Sequence, residues 1–330
     1  MKSYPTGAKI FINDKQDNKT PRLISRLLPK DYKIKVVKDG FYPWQKNLKI
    51  ESRLVIEARN ILLVPEKPKV KIVEEKLFSD FSFKSFSLEE NELKKIQQAN
   101  STIKNVLKSD SSAFVNDKIF YLEPGSYLLY SSDITGADKQ QISLSPLPAD
   151  VYKILAAPNQ QSFAALSTNG RLYLLDPENG VFDLVEIGVK NASISPDSKK
   201  LLYYNETEIW VKYLEKILIQ PYHEAGEKEL ITRFSEKISS AIWYPEDNEH
   251  IIFIVGNTIK ITELDGRDQR NTYDFLATRN AFIPSSWSNP QLYYNTEKEL
   301  LYFISDDKLY SAQIKVPQPI IETNGWFYGK

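Results

Sequence analysis

The sequence predicts an all-β protein: a small β-sandwich first, then a β-propeller of five or six blades, with one short helical segment between them. Three observations lead there. Aromatic residues are plentiful, 19 Tyr and 16 Phe against one Met, a bias toward pleated, half-buried surfaces. The first 65 residues break into short alternating stretches separated by Pro, Gly and Asn-Asp turns. From residue 113 onward, a unit of turn, apolar strand, turn and alternating strand recurs; its period of two excludes stacked helical repeats. A chain of 330 residues can build two cores of this kind. The expected division is a β-sandwich over 1–65, a linker with the helix over 66–112, which also offers material for a first blade, and the propeller over 113–330.

In the front domain, Ala8 to Ile12 alternate as a short strand, and Asn13-Asp14 with the polar stretch to Lys19 reads as a turn. Pro21 biases Thr20 toward extended backbone, and Pro29 to Asp31 reads as a second turn. Tyr32, Ile34 and Val36 alternate with Lys33 and Lys35, a strand with one buried face and one lysine face. Asp39-Gly40 is a tight turn that needs a glycine backbone. Trp44, Leu48 and Ile50 continue the sheet, and Leu54 to Val64 supply a last strand.

Four local patterns in this stretch belong together: Pro5-Thr6-Gly7-Ala8, Thr20-Pro21, Leu28-Pro29-Lys30-Asp31-Tyr32, and Gly40-Phe41-Tyr42-Pro43-Trp44. On these, residues 3–65 resemble a PEGA domain. Lys30 stands where that family usually has glycine, which suggests a turn that avoids positive φ. The resemblance implies a non-catalytic β-sandwich module, common on envelope proteins, with no catalytic residues to carry over.

Pro65-Glu66-Lys67-Pro68 reads as a linker, and Ser87-Leu88-Glu89-Glu90 as a capping-box start. Leu93, Ile96, Ile103 and Leu107 then recur at helical spacing, so one helix or a broken pair is expected within 88–108. Behind it come five units whose central turns fall near residues 124, 169, 205, 256 and 306. Periods near forty residues with several strands each argue a propeller. Ser195-Pro196-Asp197 resembles the turn of WD40-like and TolB-like propeller blades. A sixth blade would come from residues 70–112 together with Ile320 to Tyr328.

The formal charge of zero hides an asymmetry. Residues 1–65 carry 14 Lys and Arg against 6 Asp and Glu, a balance of +8; since the whole chain carries 43 of each, the remainder stands at −8. The basic front fits anionic partners such as lipid head groups, wall polymers or an acidic protein face, although a merely solvated surface would look the same. The acidic remainder argues against nucleic acid. The absence of Cys rules out disulfides, thiolate metal sites and a Cys nucleophile. No apolar run approaches the length of a membrane span, and no signal-peptide pattern precedes Ser3. A β domain that opens so close to Met1 is expected to follow an upstream transmembrane anchor not included in this sequence.

Candidate chemistry is sparse. There is no Gly-x-Ser-x-Gly elbow and no phosphate-binding glycine pattern, so no cofactor is expected. Two isolated histidines, His223 and His250, do not suggest a metal centre. The densest polar stretch runs from Asp265 to Asn271; it offers Arg267 and Arg270 to a ligand, against the plain hairpin turn that Asp-Gly signals. His223 lies in a polar insertion that looks exposed. Trp210 and Trp243 recur at strand positions, where blade packing competes with docking of a partner. The expectation is a non-catalytic, extracytoplasmic scaffold of the bacterial envelope, its propeller loops binding a protein or a wall polymer and its basic domain facing an anionic membrane. Bacterial envelope proteins that join a PEGA domain to a propeller look similar. The alternatives are a propeller hydrolase acting on envelope glycans, with carboxylates about 5–10 Å apart, and a cytosolic WD-type scaffold.

Overall fold

The computed structural model describes residues 1–74, 111–277, 291–305 and 308–315. The chain divides into two compact units, Met1–Lys69 with Gln313–Lys330, and Val70–Ala312. The helix expected within 88–108 lies outside the described residues; among those described, every regular element is a strand.

The first unit holds β1 (Ser3–Tyr4), β2 (Lys9–Ile12), β3 (Lys15–Lys19), β4 (Lys30–Val37), β5 (Trp44–Ile50) and β6 (Ile61–Leu62). Strands β3-β2-β4-β5 form one antiparallel sheet, and β1 pairs parallel with β6. Alternation in β4 and β5 turns Tyr32, Ile34, Val36, Trp44 and Leu48 to one side, where Ala8, Ala58, Ile61 and Leu63 complete the core. Gly40, at φ 83°, makes the turn between β4 and β5.

Three local readings change. Only Asn13 (φ 47°) and Asp14 (φ 63°) turn; Lys15–Lys19 pairs back on β2 as a fully exposed edge strand, where lysines discourage further pairing. Lys30 and Asp31 open β4 instead of turning, with Lys30 opposite Ile50. Of Leu54 to Val64 only Ile61–Leu62 is strand, because Arg53 takes φ 64° and the chain folds back with Leu54 N donating to Glu51 O at 3.3 Å.

The second unit contains five four-stranded antiparallel sheets among the described residues. The first sheet is β8 (Ser112–Val115), β9 (Lys118–Leu122), β10 (Leu129–Asp133) and β11 (Gln140–Gln141); the second is β12 (Tyr152–Ala156), β13 (Phe163–Ser167), β14 (Leu172–Leu175) and β15 (Phe182–Glu186). The third is β16 (Asn191–Ile194), β17 (Lys200–Tyr204), β18 (Glu208–Tyr213) and β19 (Lys228–Arg233); the fourth is β20 (Ile238–Trp243), β21 (His250–Val255), β22 (Thr258–Glu263) and β23 (Thr272–Ala277). The fifth joins β24 (Leu292–Asn295), β25 (Leu300–Ser305) and β26 (Lys308–Gln313) to β7 (Val70–Glu74).

The first four sheets are meanders, and the first strand of each sheet lies against the first strand of the next, a propeller-like arrangement. Second strands are buried on both faces: Phe163–Ser167, Lys200–Tyr204 and His250–Val255 contain no exposed residue. That is why they read as continuous apolar runs while the third strands alternate. The cores lie between neighbouring sheets, as where Leu202, Tyr204 and Val211 of the third meet Trp243, Ile251 and Phe253 of the fourth. In four sheets the register slips once between the third and fourth strands, a recurrent bulge that tightens the outer twist.

The turns between first and second strands also link sheet to sheet. Asn116 Nδ2 donates to Pro158 O (2.9 Å), Asn159 N to Ser198 Oγ (3.0 Å), Lys200 Nζ to Asn248 O (3.1 Å), and Tyr294 OH to Glu246 Oε1 (3.4 Å). Val70–Glu74, expected in the linker or in a sixth blade, instead pairs with β26 and completes the fifth sheet. A three-stranded meander leaves an open edge that an extended segment can fill. The remainder of the sixth-blade segments lies outside the described residues.

Candidate functional site

Strand β18 ends at Tyr213, and residues 214–227 loop out before β19. Three of the expected contact residues, His223, Arg267 and Arg270, meet around the base of this loop. His223 is not exposed, as its polar neighbours suggest. Its ring lies flat on Tyr213, with centroids 3.8 Å apart and planes 8° from parallel, and its Nδ1 sits 3.0 Å from Glu227 Oε1. That hydrogen bond holds the Glu227 carboxyl below its usual range. Ile217 N donates to His223 O at 2.8 Å, which closes the loop on itself.

The Tyr213 hydroxyl donates to Glu229 Oε2 at 3.0 Å. Burial first, and the Glu229 charge second, push its pKa far above the ordinary tyrosine value. Glu229 Oε1 pairs in turn with Arg270. Gly266 makes room for this contact, since a Cβ there would stand 2.9 Å from Arg270 Nη2 and 3.2 Å from Glu229 Oε1. Arg267 grips Asp265 through Nε (2.9 Å) and Nη2 (2.7 Å), and its Nη1 donates to Gln220 Oε1 at 3.1 Å. Both guanidinium groups are thus engaged by the protein itself. The loop they brace presents Leu218, Ile219 and Tyr222 to solvent, 74%, 51% and 66% exposed.

The two tryptophans lie elsewhere. Trp210 packs at the boundary with the second sheet; its Nε1 donates to Glu208 Oε2 at 3.0 Å, and Lys228 Nζ stands 5.8 Å from its ring. Trp243 is a core residue whose indole N–H goes to Ser193 O at 3.1 Å, so its ring is packing.

Sequence reasoning missed two features. One is a cleft of about 480 Å³ lined by the start of β12, the β13–β14 turn and the entry to β16. Lys153, Asn169, Lys190 and Asn191 bring polar groups to it, and no Asp or Glu is among its lining residues. The Asn169-Gly170 turn was its one local signal. The other is a buried ionic network between the third and fourth sheets. Lys200 Nζ lies 3.2 Å from Asp197 Oδ2 and 3.0 Å from Glu249 Oε1, and His250 Nδ1 lies 2.8 Å from Asp247 Oδ2. Burial disfavours the charged His250 ring, but Asp247, Glu263 and Glu249 together outweigh it and raise its pKa. Burial raises the pKa of Glu249, against the pull of Lys200. A lysine heading the run Lys200-Leu-Leu-Tyr-Tyr was the available clue.

Residues 1–61 match the family model of the PEGA domain. No curated protein matches the chain. Among solved structures, the chain is similar to one in the crystal structure of a nidogen/laminin complex, at 6% identity over 58% of this chain and 68% of that one, with a TM-score of 0.37. It is also similar to the β-propeller domain of Myceliophteria thermophila Cps50 (Swd1), at 9% identity and a TM-score of 0.44, over 60% of this chain and less than two thirds, 63%, of that one. The chain thus joins a front stretch that matches the PEGA domain model to a β-rich, propeller-like unit.

Proposed function

We propose that the protein is a non-catalytic interaction scaffold of a bacterial cell envelope, in which the second unit captures a protein partner through the loop 214–227. The observation that carries this reading is the brace beneath Leu218, Ile219 and Tyr222. An aromatic stack, a backbone bridge and an Arg267–Gln220 bond hold three large apolar side chains out in water. Exposed apolar clusters on ordered loops are features of partner surfaces. The choice of a protein over a wall polymer rests on the chemistry of the tip, which is apolar and aromatic where a polyol or phosphate chain would need donors and charges. The envelope location rests on the PEGA match and on the charge division between the halves of the chain.

The test is cross-linked capture from separate envelope and cytosolic fractions, with wild type beside L218S/I219S/Y222S. The expected result is a partner taken from the envelope fraction by wild type and lost with the triple substitution. Identical capture by both proteins removes the loop from the reading; a partner found only in cytosol removes the location.

A further inference from the structure

We infer that one end of the first unit is a docking surface for an anionic lipid bilayer, seated by exposed apolar side chains within a fringe of arginines. The inference concerns a different surface from the loop 214–227 and stands or falls without it.

The surface is placed by register. Lys30 and Ile50 are the last pair where β4 meets β5, so the segments 21–29 and 51–60 leave the sheet at the same end. Backbone bonds hold both against the start of the chain: Arg22 N donates to Met1 O at 2.9 Å, and Lys2 N to Ala58 O at 2.8 Å. Neither segment forms regular structure apart from these anchors. Together they expose four apolar side chains, Leu23 (77%), Leu28 (71%), Leu54 (57%) and Val55 (67%). Their neighbours Ile24, Leu27 and Ile56 turn at least partly inward, so the segments already have residues that pack. The four exposed ones point to something outside.

The unpaired charges around them are mostly positive, with Asp31 beside Lys30 an exposed carboxylate among them. Arg22, Arg26, Lys30 and Arg53 make no ion pair among the described residues, whereas the nearby carboxylates Glu51 and Glu57 are paired with Lys49 and Arg59. Arg26 (φ 62°) and Arg53 (φ 64°) are also held in left-handed backbone, a conformation that side-chain-bearing residues rarely adopt and that gathers at functional sites. One such arginine sits on each segment. Leucine and valine reaching into the acyl boundary, with cations at head-group level, is the chemistry of an interfacial anchor. A protein partner with an acidic, apolar face would satisfy the charges as well. The bilayer is favoured because the apolar residues are aliphatic and dispersed over two segments, without the aromatic anchor and pocket that mark protein hot spots.

Vesicle co-sedimentation of the full chain tests this, with phosphatidylcholine alone and with phosphatidylglycerol added. Binding is expected only with the anionic lipid, falling as salt rises. R26A and R53A each lose roughly fivefold in partitioning, the effect of removing one cation near an anionic surface, while R26K and R53K keep it. L23S/L28S weakens binding further at the same charge. No binding to anionic vesicles overturns the inference. So does full binding by R26A/R53A. Binding that follows the arginines but ignores L23S/L28S identifies a polyanion site without lipid insertion, and also overturns it. All these positions are exposed, and circular dichroism of each variant checks that the fold is unchanged.

Discussion

Strands β4 and β17 both begin with lysine and both carry large apolar residues, yet they meet different surroundings. Along β4 burial alternates, so Tyr32, Ile34 and Val36 go inward while Lys33 and Lys35 stay on the outer side. Along β17 every residue is buried, because a neighbouring sheet covers each face. A one-sided sheet keeps most of its charges in water at little cost, the exception in the first unit being Lys46 of β5, which is buried with its Nζ 5.9 Å from the Trp44 ring. A two-sided strand must bring partners for any charge it holds, as Lys200 does. The first unit can therefore vary its outer face freely, and the second cannot.

The largest effects should fall on the two cores separately. Phe253→Ala opens a cavity in a strand covered on both faces and is expected to cost about 3–5 kcal/mol. Trp44→Ala, in the core of the first unit, is expected to cost about the same. Denaturant unfolding followed in both variants should show Phe253→Ala moving only the second-unit transition and Trp44→Ala only the first. A shift of both transitions in either variant would break the contrast between two independently filled cores.

Lys200→Met probes the contrast where charge is buried. It leaves Glu249 without its main counter-charge and is expected to cost about 3 kcal/mol, the low end for a broken buried pair because Asp197 and Glu249 retain some contact with solvent. Lys200→Met with Glu249→Gln should recover most of that. The same network sets a pH dependence. His250 has a folded pKa above its ordinary value of 6.5. Its contribution to stability is therefore complete below pH 6.5 and is lost as pH rises through the folded value. Glu249, raised from 4.5 by burial, acts in the same direction from lower pH. The second-unit midpoint should fall as pH rises above 6.5, and His250→Gln should flatten that slope. A midpoint that rises with pH would contradict the arrangement.

Much of this architecture is legible in the sequence because it is periodic. The turns near 124, 169, 205 and 256 all fall between second and third strands, since Pro-Gly, Asn-Gly, Asn-Glu and Gly-Asn leave the backbone few alternatives. The turn near 306 lies outside the described residues. Val70–Glu74 was not legible, because a strand that pairs with residues some 240 positions away has no local pattern announcing its partner. Of the site, the polar insertion around His223 and the Asp265–Asn271 stretch stand out by composition, and His223, Arg267 and Arg270 do come together there. Their role was not visible. Polar residues look offered to a ligand, whereas Asp265 and Glu227 close by in the chain, and Glu229 of β19 far from Arg270 in sequence, already occupy them, and the large side chains that stay exposed are the apolar ones at the tip.

The smallest effects concern two glycines with similar backbone and different surroundings. Gly40 (φ 83°) has nothing within 4 Å of where a Cβ would go. Gly170 (φ 75°) would place its Cβ 3.1 Å from Val189 O and 3.3 Å from Val189 N. Both changes to alanine carry the left-handed penalty of about 1 kcal/mol. Only Gly170→Ala adds a clash with backbone that cannot swing aside, so about 2–3 kcal/mol is expected for it and about 1 kcal/mol for Gly40→Ala. The contrast follows from the architecture: the Gly40 turn projects from a single sheet into water, whereas the Gly170 turn is pressed against the link to the next sheet, where Val189 N donates to Gly170 O at 2.9 Å. Chemical denaturation of both variants measures the difference. Equal losses would mean that the second unit yields at its turns as readily as the first, and would remove close packing between sheets as the reason the two units differ.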